Sequence, residues 1–252
     1  MHVIIPAYKR PDFLRKCLNS VFQFSRNSDC RVMVFDDCSP GKEIRRVCND
    51  FPVIYTRFDQ NVGPARAIAV GLSHSVVMEE HVDRFLIASD HYLPKGWFEA
   101  VQEACKVARK VGAEVGAFDH YPGPLEAQEK WHKDGRSLTK KARIAFPSKF
   151  FLTCSMPSIV CSSAPVISEL VNHLLSFHQN GQRSNCIRDA YTGFWKRRCF
   201  KRRCPMFAVT GLMLHHMGHS TSSHFVRNEE HMSYYKEQGR LDWVMGKDPA
   251  RP

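Results

Sequence analysis

The chain has 252 residues, 43% hydrophobic and 24% charged, with 36 Lys and Arg against 25 Asp and Glu for a net charge of +11. That length suffices for one large α/β domain or two small ones, with a sizeable core, and the composition is ordinary for a folded globular protein. No stretch approaches the roughly 18–20 apolar residues of a membrane span, and the ten cysteines contain no C-x-x-C pair, which excludes a zinc ribbon and favours reduced thiols in a core.

The N-terminus enters an apolar run at once, without a signal peptide, so a cytoplasmic location is expected. Residues 2–6 read as a buried strand. Pro11 suits the first turn of a helix carrying Phe13, Leu14, Cys17, Leu18, Val21 and Phe22 at helical spacing. Residues 31–35 and 53–57 are further strands, and residues 64–77 a helix on the spacing of Ala65, Ile68, Ala69, Leu72 and Val76. A fourth strand, 84–88, is followed by Ser89-Asp90-His91. Pro94 opens the next helix, with Trp97, Phe98, Val101, Ala104, Cys105 and Ala108 on one face, and residues 114–118 read as a fifth strand. Beyond a polar, basic stretch at 119–149, residues 158–161 and 206–214 are strand-like and residues 164–177 and 185–198 helix-like.

Strands that are apolar on both faces and alternate with helices predict an α/β fold with a mostly parallel central sheet covered on both sides. Ligands of such sheets bind beyond the carboxyl ends of the strands. Asp36 and Asp37 follow the second strand and Asp90 the fourth, so the acidic groups gather there.

The positive charge is clustered. Residues 130–149 carry a local +6 and residues 183–204 a local +7, which leaves the rest of the chain near −2. Both segments interleave cations with aromatics such as Trp131, Phe146, Tyr191 and Trp195. That pattern suits a polyanionic partner with unstacked bases. A solvated helix face plus a loop accounts for the charge equally well.

Four segments, in this order and spacing, resemble the family-2 glycosyltransferases of the GT-A fold: Val3-Ile4-Ile5-Pro6-Ala7-Tyr8-Lys9-Arg10, Val34-Phe35-Asp36-Asp37-Cys38-Ser39, Asn61-Val62-Gly63-Pro64-Ala65-Arg66 with Gly71, and Phe85 to Pro94 with Trp97. The resemblance implies a Rossmann-like GT-A sheet. It implies a nucleotide-sugar site formed by Pro6, Ala7, Tyr8, Arg10, Asp36, Asp37, Asn61, Gly63, Arg66, Ser89 and Asp90. Asp36 or Asp37 would hold the base or ribose, while Arg66 and Lys9 would meet phosphate. The family's Asp-x-Asp falls on Ala88-Ser89-Asp90, so its first carboxylate is absent. Asp90 matches the second, a ligand of Mn2+ or Mg2+, and His216 in His215-His216-Met217-Gly218-His219-Ser220 matches the family's late His-x-Gly-x-Ser, a metal ligand or diphosphate contact. Cys186-Ile187-Arg188-Asp189 resembles the acidic pair that supplies the catalytic base, which makes Asp189 the base. Arg188 beside it would keep it ionised. The reaction implied is an inverting, metal-dependent transfer from a nucleoside-diphosphate sugar to an acceptor hydroxyl.

By the same reading, residues 1–118 form the nucleotide-sugar-binding half and residues 119–252 the acceptor-binding and catalytic half of one domain. The basic segments lie in the second half. They make DNA with a hydroxymethylated pyrimidine the leading acceptor, bound by Lys140, Lys141, Arg143, Trp195, Arg197, Arg198, Arg202 and Arg203; viral DNA-modifying glycosyltransferases are a precedent. The target base would have to leave the stack. A surface glycan or lipid-linked acceptor reached by docking on anionic membrane is the alternative, and a non-catalytic nucleic-acid-binding protein on the same fold is the third. A sugar nucleotidyltransferase is disfavoured because the loop after the first strand, Pro6 to Pro11, has no glycine.

Overall fold

The computed structural model describes residues 1–25, 30–93, 95–111, 114–117, 150–153, 159–162, 164–179, 194, 206–209 and 215–216. Their order is β1 (His2–Ala7), α1 (Pro11–Gln23), β2 (Arg31–Asp36), α2 (Glu43–Asn49), β3 (Val53–Arg57), α3 (Pro64–Met78), β4 (Arg84–Leu86), β5 (His91–Tyr92), α4 (Trp97–Val111), β6 (Glu114–Ala117), β7 (Phe150–Thr153), β8 (Ile159–Ser162), α5 (Ala164–Gln179), β9 (Met206–Val209) and β10 (His215–His216).

Eight strands form one sheet in the order β3-β2-β1-β4-β8-β6-β9-β7. The first four are parallel, with Ile4 opposite Met33 on one side and Leu86 on the other. Beyond β4 the sheet is mixed: β8 runs antiparallel to both β4 and β6, β6 and β9 are parallel, and β7 is antiparallel to β9. The expected α/β sheet is therefore present, with its parallel character concentrated in the N-terminal strands.

Alternation along β1 divides the core between the two faces. Val3, Ile5 and Ala7 pack with Leu14, Cys17, Leu18 and Val21 of α1 and with Trp97, Val101 and Cys105 of α4. Ile4 packs on the opposite face with Met33, Phe35 and Leu86, under Ala69 and Leu72 of α3 and Ile167, Leu170 and Leu174 of α5. Gly71 lets α3 come this close, because a Cβ there would sit 2.9 Å from both Ile4 Cγ2 and Phe35 Cδ2.

Several elements differ from the sequence reading. α2 has no counterpart in it, since seven residues give too short a period to detect. β4 stops at Leu86 and α4 starts at Trp97, leaving a longer connection in which the two-residue strand β5 forms. The strand expected over 206–214 is β9 followed, separately, by β10, which leaves the main sheet to pair antiparallel with β5. β7 was not anticipated. The helix-like stretch 185–198 and the basic stretch 119–149 lie outside the described residues apart from the buried Phe194. Among the described residues, no helix is long and apolar enough to cross a membrane.

Among the described cysteines, Cys17, Cys30, Cys48 and Cys105 are buried and Cys38 is half-buried, and none of the five is in a disulfide. Burial raises the pKa of Cys17 and pushes that of Cys48 up to about 12, with the Asp36 charge adding to the second. Cys17 and Cys105 are core residues, as their helical spacing in the sequence predicts.

Candidate active site

Parallel strands β1, β2 and β4 end on the same edge, so the segments following them converge. After β1 the chain turns through Tyr8, Lys9 and Arg10. Lys9 and Arg10 both take left-handed backbone conformations, φ 58° and 55°, which cost a non-glycine residue about 1–2 kcal/mol each. The surroundings compensate: the Lys9 N–H donates to Ser39 Oγ at 2.8 Å, and α1 begins directly after Arg10 with Pro11 in its first turn. Tyr8 is 44% exposed, with the Lys9 ammonium 5.0 Å from its ring centroid.

Asp36 and Asp37 close β2, and both are buried. A buried carboxylate is tolerable only when hydrogen-bonded, and each is. Asp36 Oδ1 accepts from the Ser39 N–H at 2.9 Å and Oδ2 from the Tyr55 hydroxyl at 2.8 Å, with Arg57 Nη1 3.9 Å away. Burial and the bond to Asp36 raise the Tyr55 pKa, so Tyr55 remains a donor. Asp37 turns to the loop before α3: Oδ1 accepts the Val62 N–H at 2.6 Å, Oδ2 the Gly63 N–H at 3.0 Å, and its carbonyl accepts from Asn61 Nδ2 at 3.0 Å. The two aspartates thus tie β2 to β3 and to the start of α3. Ser39, the last residue of the second motif but not assigned to the site, and Tyr55, which no motif contains, complete this network. Ser39 carried a local signal, three residues after Asp36 in a turn; Tyr55 carried none, because only the β2–β3 register brings it to Asp36. Arg66 lies exposed in the first turn of α3.

Asp90 and Ser89 follow β4. The Asp90 side chain is 17% exposed; Arg10 Nη1 lies 3.4 Å from its Oδ2 and His91 Nδ1 3.5 Å from its Oδ1. His91 is buried, and the strand it begins is held from below, where Ser20 Oγ of α1 accepts the Leu93 N–H at 3.0 Å. The antiparallel register of β10 on β5 sets His216 opposite His91, one residue from Asp90. Two segments 125 positions apart in sequence, those of His91 and His216, therefore meet at the site edge. Asp189, Lys140, Lys141, Arg143, Trp195, Arg197, Arg198, Arg202 and Arg203 lie outside the described residues.

Among the described residues, no group of three or more His, Cys, Asp or Glu is gathered as a self-sufficient metal site. What the edge offers is one partly exposed carboxylate, Asp90. That donor set fits a hard divalent cation whose remaining ligands are diphosphate oxygens and water, the usual manner of Mg2+ binding.

The family assignment follows from the chain's first two thirds. A model of the family described as Glycosyl transferase family 2 matches residues 2–171, which include β1 to β8 and the start of α5. The chain belongs to glycosyl transferase family 2. Solved structures similar to this family-2 chain include TarS 1-349 of S. aureus in complex with UDP-GlcNAc, at 14% identity and a TM-score of 0.51, covering 84% of this chain and 56% of that one. Another is the mannosyltransferase PcManGT of Pyrobaculum calidifontis in complex with GDP-Man and Mn2+, at 11% identity and a TM-score of 0.54, covering 97% of this chain and 69% of that one. The chain thus spans little more than half of the TarS 1-349 chain. Such likeness establishes the GT-A fold. A comparison with curated protein sequences gives no match.

Proposed function

We propose that the chain is a metal-dependent inverting glycosyltransferase that moves a sugar from a nucleoside-diphosphate sugar onto an acceptor hydroxyl. One observation carries this reading: the Tyr8–Arg10 turn, the loop clamped by Asp37 and the Asp90 carboxylate meet at the carboxyl edge of the sheet, with His216 in register beside them. The nucleotide sugars in the similar structures, UDP-GlcNAc and GDP-Man, support a donor of that class.

In this reading, the turn and the Asn61–Gly63 loop bind the nucleoside, with Asp36 and Asp37 acting largely through the backbone that they fix. Arg66 and Lys9 supply cations to the diphosphate. Asp90, with His216, would hold Mn2+ or Mg2+. Such a cation, when bound, neutralises the charge that develops on the leaving diphosphate. Asp189 takes the proton from the acceptor hydroxyl, and the resulting nucleophile attacks the anomeric carbon in a single displacement that inverts its configuration.

For the acceptor we propose DNA carrying a hydroxymethylated pyrimidine. The support is the charge of residues 130–149 and 183–204 with their interleaved aromatics. The deciding measurement is nucleoside-diphosphate release from a panel of nucleotide sugars with Mn2+ or Mg2+, run without acceptor, with plain DNA and with hydroxymethylated DNA. Release stimulated only by hydroxymethylated DNA, and lost in Asp189→Asn, is the expected result. Slow release indifferent to DNA would redirect the acceptor to a glycan or lipid-linked hydroxyl. No release from any donor would leave a binding protein on a GT-A fold.

A further inference from the structure

Arg10 is fixed at its backbone and loose at its tip. The Lys9 N–H bond to Ser39, the left-handed pair Lys9–Arg10 and the first turn of α1, where the Leu14 N–H donates to the Arg10 carbonyl at 3.2 Å, set where its Cα stands. The side chain is 41% exposed; its guanidinium rests 3.4 Å from Asp90 Oδ2 and 5.6 Å from the centroid of Phe13. An ion pair this exposed is weak and readily exchanged. It also involves the one carboxylate that the Ala88-Ser89-Asp90 segment retains. With Arg10 on Oδ2 and His91 Nδ1 3.5 Å from Oδ1, a divalent cation that binds Asp90 competes with the Arg10 guanidinium for this carboxylate.

We propose that Arg10 is the exchangeable counter-ion of Asp90: its guanidinium holds the carboxylate in the metal-free protein, yields it to a divalent cation, and then turns to the donor diphosphate. Arg10 is thereby a positioning residue that sets the protein's metal affinity, and the inference rests on the donor site proposed above. The exchange keeps Asp90 paired at every stage and delivers a cation to the diphosphate when the metal is in place. It makes this chain bind free Mn2+ more weakly than its donor atoms alone would allow.

The test is Mn2+ binding to the full chain without nucleotide, followed by the electron-paramagnetic-resonance signal of the free ion. Removing the guanidinium in R10Q should tighten Mn2+ binding about threefold to tenfold, the range that loss of one exposed competing charge supports. R10M, which keeps the apolar stem against Phe13, should do the same, and R10K should stay nearer the wild type. D90N should reduce Mn2+ binding below the wild type, to the level of unspecific surface sites. Circular dichroism of each variant verifies folding, and the exposure of Arg10 makes unfolding of both R10Q and R10M unexpected. Mn2+ affinity unchanged or weaker in folded R10Q and R10M overturns the counter-ion role while leaving the donor site standing. Mn2+ binding equal in wild type and D90N without nucleotide overturns the counter-ion role, and binding that stays equal when UDP or GDP is added overturns the donor site as well.

Discussion

Gly63 donates its backbone N–H to Oδ2 of Asp37 at 3.0 Å, across 26 positions of sequence, while Val62 donates to Oδ1 of the same carboxylate. Gly63 can take its place there because it adopts φ +82°. One buried side chain therefore fixes the backbone of the loop that leads into α3.

Replacing Asp37 by Ala removes a charged acceptor from two buried or half-buried N–H groups. Hydrogen bonds to charged groups contribute about 1.5–3 kcal/mol each and do not add fully, so a loss of roughly 2–4 kcal/mol is expected from urea unfolding. If the loop serves the nucleotide, affinity for UDP or GDP by calorimetry falls as well. Asp37→Asn, which retains one carbonyl acceptor, should lie between. Wild-type stability and nucleotide affinity in Asp37→Ala would contradict this assignment.

At Gly71 two effects oppose each other. Ala is better than Gly inside a helix by about 1 kcal/mol, but its Cβ would stand 2.9 Å from Ile4 and from Phe35 in the core. Overpacking a core costs about 1–3 kcal/mol. The steric effect should win, and Gly71→Ala should lower the melting temperature. An increase would mean that α3 shifts off the sheet at little cost.

Stability at mildly acid pH should depend on His2. It is buried at the start of β1, with Nδ1 2.8 Å from Ser75 Oγ and Nε2 3.5 Å from Glu79. Burial lowers its pKa to about 4, against the opposing pull of Glu79. Because the folded value lies below the unfolded value near 6.5, its contribution is complete above about pH 6.5. That contribution is lost as pH falls toward 4, by on the order of 3 kcal/mol in total. Urea unfolding at pH 7, 6, 5 and 4.5 should show a steeper decline in the wild type than in His2→Gln. Parallel curves would place the acid sensitivity elsewhere.

Much of the architecture follows from local pattern. The runs 2–6, 31–35 and 53–57 are short and apolar on both faces, which marks strands buried on both sides, and the period of Phe13 to Phe22 and of Ala65 to Val76 marks the helices between them. The segments around Asp36, Asn61 and Asp90 were likewise legible as members of one site, because strand-end residues of a parallel sheet share an edge. Short elements escaped: α2 and β5 have too few residues to show a period.

Hydrophobic period and motifs contiguous in the chain carry the α/β class, the family and the edge at which chemistry is expected. The packed fold adds that Asp36 is used by Tyr55 and Ser39, that Asp37 clamps Gly63, that Arg10 pairs with Asp90 and that His216 lies opposite His91. Those pairings join residues 19 or more positions apart, apart from the local Asp36–Ser39 turn. Their partners are chosen by strand register and by the packing of α1 and α3 on the sheet, which no local propensity encodes.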